Sequence, residues 1–269
     1  EEFADDVAPE AIVSGLVYNA STTLYTGASK AGKTWQALQL AMCVATGEPF
    51  LGLAVRRATV LYLSLELSAG MLRERMKAIA SDAGLRMPEI GTDFHVIAPT
   101  ASYVPSLDLG SDGGGEHLRS LIAQTGARVV VVDTLYRFTP GADPNDNGEM
   151  GLVFGRLNDL AQSTGAALLI LDHVGKGDQG GPVSHSALGA SVKGGAARVV
   201  AALKRTSKED GGRWQLDVES HFGSWDEPLF YERPKHPDGT RGKGCALCTA
   251  TEAHGLTFAA VRELFAKFA

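Results

Sequence analysis

Gly27-Ala28-Ser29-Lys30-Ala31-Gly32-Lys33-Thr34 fits the pattern Gly-x-x-x-x-Gly-Lys-Ser/Thr, and the rest of the chain is read outward from it. Residues 22–26 before it alternate β-branched and bulky side chains and read as a short strand. Residues 35–46 after it carry Leu38, Met42 and Ala45 at helical spacing. That strand–loop–helix context is what turns a string match into a mechanism. Glycines let the backbone wrap an anion with successive N–H groups turned inward. The helix that follows aims the positive end of its dipole at the same point. In such a loop Lys33 reaches the β- and γ-phosphates of a nucleoside triphosphate, and the Thr34 hydroxyl ligates magnesium. Gly27, Ala28, Ser29, Lys30, Ala31, Gly32, Lys33 and Thr34, with Trp35 behind them, are therefore the candidate nucleotide-binding residues, and ATP with Mg2+ is the expected ligand. The bland alternative is a glycine-rich turn with a surface lysine.

Beyond the loop, strand and helix signals alternate, the mark of a mostly parallel sheet with helices on both faces. Residues 59–65, 93–98, 128–132 and 166–171 read as strands, and 68–83 reads as a helix. Two further helices end near Gly126 and Thr164, the first preceded by a Gly/Ser/Pro-rich loop over 99–115. Residues 198–204 and 214–218 read as strands joined by the hairpin turn Glu209-Asp210-Gly211-Gly212. The expectation is an α/β P-loop NTPase: a mostly parallel, twisted sheet with a C-terminal β-hairpin extension. The division expected is an N-terminal arm over 1–14, the ATPase core over 15–233 and a linker over 234–255. Residues 256–269 are amphipathic and read as the start of a helical or winged-helix element.

Bulk properties narrow the class. A chain of 269 residues, 44% hydrophobic and 21% charged, suits one large soluble domain with an appendage. A net charge of −6 argues against a protein coated in basic patches, though a local basic channel is a matter of distribution rather than of total. Three cysteines point to a reducing compartment. No apolar run reaches bilayer length and no secretory signal opens the chain, so no membrane partner is expected and a cytoplasmic location is the default. The opening Glu1-Glu2-Phe3 has no methionine, which leaves a fragment of a longer protein as one reading.

Hydrolysis needs more than a phosphate loop. Asp133 closes a run of four valines, and in a doubly wound sheet carboxyl strand ends line the ligand crevice. It is the candidate magnesium carboxylate beside Thr34, the alternative being a strand-ending Asp that caps the next turn. Glu66 ends the strand that follows the phosphate-loop helix and reads equally as a base that polarises water or as an acid favoured by a helix dipole. Cys245 and Cys248 have the spacing of half a zinc site, with His236 and His254 nearby, but free thiols fit better without a second such pair.

Ser64-Leu65-Glu66-Leu67-Ser68, with Leu72, Arg75 and Met76 behind it, resembles the segment that carries the catalytic glutamate in RecA-fold hexameric helicases of the DnaB type. Residues 15–223 resemble still more the RepA-type plasmid replicative helicases, whose phosphate loop runs into a stretch like Trp35-Gln36-Ala37-Leu38-Gln39-Leu40-Ala41. Ala45-Thr46-Gly47 and Phe50-Leu51-Gly52 extend that likeness. The resemblance implies a RecA-like core, a homo-hexameric ring and a motor acting on single-stranded DNA; the alternatives are a non-motor regulatory or scaffold ATPase and a recombinase-like filament, which the residues do not separate from a ring. It implies Glu66 as general base and His173, at the end of Asp172-His173, as a sensor of the γ-phosphate. Lys204 and Arg205 would reach the neighbouring subunit's nucleotide as a trans finger. Loops after Asp133 and His173 would face the pore, making Arg137, Lys176 and Lys193 the candidate DNA contacts. Asp143, Asp146 and Glu149 in the first loop oppose that last role by charge.

Overall fold

Four consecutive valines leave no polar face, so their strand has to be covered on both sides. In the computed structural model, which describes residues 9–102, 107–173, 192–207 and 212–248, β6 (Val129–Asp133) is that strand and is buried throughout. Val129 and Val131 face one apolar core and Val130 and Val132 the other. The first core is completed by α1 (Lys33–Thr46) and α2 (Ala69–Ala83), through Leu38, Met42, Leu72, Met76 and Ile79. The second is completed by α3 (Asp112–Thr125) and α4 (Asn147–Thr164), through Leu118, Ile122, Phe154 and Leu157.

The remaining strands are β1 (Ala11–Val13), β2 (Val17–Tyr18), β3 (Thr22–Gly27), β4 (Val60–Ser64), β5 (Phe94–Ile97) and β7 (Ala167–His173). A short helix, α5 (Val192–Ala196), leads to β8 (Val199–Ser207), β9 (Arg213–Ser220), β10 (Leu229–Glu232) and β11 (Ala246–Cys248). Among the described residues, nine strands pair in the order β11-β10-β9-β8-β3-β7-β6-β4-β5. From β8 to β5 neighbours run parallel; β8-β9, β9-β10 and β10-β11 are antiparallel. β3 is thus flanked by β7 and β8, and the carboxyl ends of β3, β4, β6 and β7 share one edge of the sheet.

The structure departs from the sequence reading in several places. Helix α3 starts at Asp112, inside the stretch read as loop, because Ser111 caps it by accepting from the Gly114 N–H. The stretch read as a linker contributes β11, and Gln39 of α1 brackets the Cys245 peptide, accepting from its N–H at 2.6 Å and donating to its carbonyl at 3.0 Å. Part of the stretch read as an arm is built into the fold: Ile12 and Val13 are buried and the Ser14 N–H donates to the Ala54 carbonyl. Among the described residues no helix is long and apolar enough to cross a membrane.

Candidate active site

The loop between β3 and α1 owes its path to two glycines. A Cβ on Gly27 would lie 2.9 Å from the Leu203 carbonyl oxygen on β8, so a side chain there would force the strands apart. Gly32 sits at φ 103°, in the left-handed region that side chains disfavour. Gly32 also stands at the N-cap of α1 and brings no side chain to cap it. Helices α2, α3 and α4 are each capped by a side chain, from Ser68, Ser111 and Asp146. The first N–H groups of α1 thus stay available, at the positive end of its dipole, for an anion.

Lys33 lies 5% exposed, its ammonium donating to the carbonyls of Gly27 at 2.6 Å and Ala28 at 3.1 Å and to His173 Nδ1 at 3.1 Å. Burial lowers its pKa to about 8, against the pull of Asp172, Asp133 and Glu66. An ammonium has only donors, so His173 must accept through an unprotonated Nδ1, which leaves the proton on Nε2. Burial, and then the Lys33 charge, depress the His173 pKa in the same sense.

Asp133 is fully buried at the end of β6. The Thr34 hydroxyl donates to its Oδ1 at 3.2 Å and the Tyr62 hydroxyl to its Oδ2 at 2.9 Å. Burial pushes its carboxyl up to about 6, with Glu66 adding to the rise and the hydrogen bonds from Tyr62 and Thr34 opposing it. A hydroxyl and a carboxylate side by side, in a pocket too dry for a lone anion, are a donor set that fits a hard, oxygen-preferring divalent cation. Glu66 stays exposed just beyond β4, and the Thr134 hydroxyl donates to its Oε1 at 3.1 Å.

These groups meet around a cavity of about 350 Å³. Ser29, Lys30, Gly32, Lys33, Thr34 and Trp35 line it from the loop; Glu66, Leu67 and Arg75 from the β4–α2 side; Thr134, His173 and Arg233 complete it. Arg75 lies over Trp35, 4.6 Å from the ring centroid. Arg233 and Tyr62 were not singled out in the sequence. Arg233 belongs to the far end of the chain and Tyr62 is one apolar position of a buried strand, so no local signal marks either.

The other expected residues fall elsewhere. Lys204 pairs with Asp217 at 3.3 Å and Arg205 lies over Trp214 at 5.5 Å, both on β8 where it pairs with β9 and outside the lining of this chain's own cavity. Arg137 is exposed on the 3-10 turn Leu135–Phe138. Lys176 lies outside the described residues. Lys193, expected at a DNA-facing loop, is placed differently: it is 1% exposed on α5 and its ammonium binds Asp172 Oδ2 at 2.9 Å. An ammonium committed to a buried carboxylate has nothing to offer a phosphate backbone. Burial pushes the Cys245 thiol up to about 12, and His236 meets Asp82 at 3.1 Å. The Cys248 side chain and His254 lie outside the described residues, among which no three His, Cys, Asp or Glu gather as metal ligands.

Residues 3–179 match the model of the AAA domain family. The structure is similar to that of a KaiC-like protein from the hyperthermophilic archaeon Pyrococcus horikoshii OT3, with a TM-score of 0.58 at 15% identity. The match covers 88% of this chain and 94% of that one. At such low identity the likeness speaks for the fold alone, which is RecA-like: a mostly parallel α/β sheet with a phosphate loop at its centre. With well over half of its length inside the family model, the chain belongs to the AAA domain family, a RecA-like family of P-loop ATPases.

Proposed function

We propose that the chain hydrolyses ATP with magnesium, and that it works in a hexameric ring as a motor on single-stranded DNA, of the plasmid or phage replicative helicase type. One observation carries the hydrolytic part: Lys33, Thr34, Glu66 and His173 line a single cavity, with Asp133 beneath it bonded to Thr34.

The loop N–H groups and Lys33 bind the phosphate chain; Lys33 exchanges the Gly27 and Ala28 carbonyls for phosphate oxygens. Thr34 and Asp133 would hold the magnesium ion, whose chemistry is to neutralise charge on the β- and γ-phosphates. Glu66, oriented by Thr134, takes a proton from the attacking water as its oxygen bonds to phosphorus and ADP departs. His173 offers its Nε2–H to a γ-phosphate oxygen and links that contact to the chain beyond β7. Arg205 would stabilise the developing charge from the next subunit, and Arg137 would contact DNA.

The ring and the DNA rest on the likeness of the Ser64-Leu65-Glu66 segment to hexameric helicases. A second reading, a nucleotide-switched ATPase that moves no DNA, is favoured by the buried pairing of Lys193 and by exposed Asp143, Asp146 and Glu149. ATP turnover with and without single-stranded DNA decides between them. The motor reading expects a several-fold stimulation and expects mixed Arg205→Ala and Lys33→Ala chains to recover activity that neither has alone. Turnover indifferent to DNA, in an assembled ring, overturns it in favour of the second reading.

A further inference from the structure

The antiparallel extension does not stop beside the phosphate loop; it reaches back to it. Trp214 on β9 is 4% exposed, and its indole N–H donates to the Ala31 carbonyl at 2.6 Å, across 183 residues of sequence. The same ring stacks on Tyr231 of β10, with centroids 5.4 Å apart and planes 7° from parallel. Arg233, directly after β10, lays its guanidinium over that ring at 5.3 Å from the centroid and lines the cavity with the loop residues. One indole thus fixes both the loop and the arginine, so their relative position is set before any ligand arrives.

The charge around Arg233 is unbalanced in a telling way. The neighbouring carboxylate, Glu232, is engaged by Arg213 at 3.5 Å and Arg241 at 3.7 Å. Among the described residues, the Arg233 guanidinium has no carboxylate partner. Among the described residues that line the cavity, Lys30, Lys33, Arg75 and Arg233 are cationic and Glu66 is the one carboxylate, with Asp133 beneath it, in a protein whose net charge is −6. A half-buried guanidinium in such a pocket lacks a counter-charge that a polyphosphate supplies, and its planar fork suits two phosphate oxygens at once.

We infer that Arg233 closes the nucleotide pocket in cis, making a direct charge-assisted contact to the phosphate chain of the bound nucleoside triphosphate. This rests on the reading of the cavity as a nucleoside-triphosphate site and extends it: the sheet's antiparallel extension becomes a wall of the pocket.

Calorimetric binding of a non-hydrolysable ATP analogue and of tripolyphosphate, which has neither base nor sugar, tests the contact. Arg233→Ala is expected to weaken both about tenfold or more, as loss of a hydrogen bond to a charged group does. Arg233→Lys, which keeps the charge and loses the fork, is expected to fall between wild type and Arg233→Ala. Should Arg233→Ala fail to fold, the Lys variant decides alone, with a several-fold loss expected. Wild-type affinity in the arginine variants, alongside loss of binding in Lys33→Ala, overturns the inference while leaving the nucleotide site intact. A loss for the ATP analogue without one for tripolyphosphate overturns it too, by moving the contact to the base. If wild type itself binds neither probe, the reading of the cavity is what fails.

Discussion

The chemistry of the pocket is concentrated in Lys33. Its ammonium is stripped of water and held by two carbonyls and an imidazole, an arrangement that makes it a weaker base than a lysine in water. A pKa of about 8 places much of the deprotonation just above neutrality. A bound phosphate chain favours the charged form and raises that pKa, so binding takes up a proton wherever the free lysine has lost one. The sign is fixed: uptake is small at pH 7, where Lys33 is already charged, and grows at pH 8.5. Calorimetry of ADP binding in two buffers of different ionisation enthalpy is expected to show roughly half a proton or more taken up at pH 8.5. Equal and negligible uptake at both pH values would contradict this account of Lys33. At this scale the sequence was most readable for Gly27 to Thr34 and Asp133, which carry a local signal, a motif or a polar residue ending an apolar strand, whereas the roles of Glu66 and His173 rested on the family resemblance. Tyr62, Arg75 in its contact with Trp35, and Arg233 carry no such signal; contacts made through folding bring them to the site.

The elements were legible wherever a punctuating residue marked them. Helices α1, α2, α3 and α4 all end on a left-handed glycine, Gly47, Gly84, Gly126 and Gly165, and these ends fall close to where the sequence put them. The start of α3 was hidden because Gly113, Gly114 and Gly115 read as loop, while the cap on Ser111 outweighs their poor propensity. The position of α5 was hidden for a tertiary reason: Lys193 looks like a pore-facing cation until β7 supplies Asp172 as its partner. That pair is 1% and 4% exposed, so removing one member strands the other charge. Lys193→Met is expected to cost about 3–5 kcal/mol in denaturant unfolding, and adding Asp172→Asn to recover most of it. Unfolding of Lys193→Met within about 1 kcal/mol of wild type would show that the pair is solvated, and would return Lys193 to the list of DNA contacts.

At the scale of the molecule, the fold explains why residues spread from position 27 to position 233 can act together. Parallel pairing puts Gly27 beside His173 on β7 and Leu203 on β8, and Ser64 beside Asp133, so successive strand ends deliver their polar groups to one edge. The antiparallel strands carry Trp214 and Arg233 to the same edge from beyond β8. The class of architecture followed from alternating strand and helix signals; the extent of the sheet did not, since Pro234, Pro237 and nearby glycines disguise the approach to β11. The central claim is that this edge binds and hydrolyses ATP with Glu66 as base, and magnesium-dependent phosphate release by wild type and Glu66→Gln, measured beside their ATP affinity, tests it most directly. The account predicts magnesium-dependent turnover in wild type and, in Glu66→Gln, unchanged affinity with hydrolysis lower by about a hundredfold or more. Wild-type turnover in Glu66→Gln would contradict it.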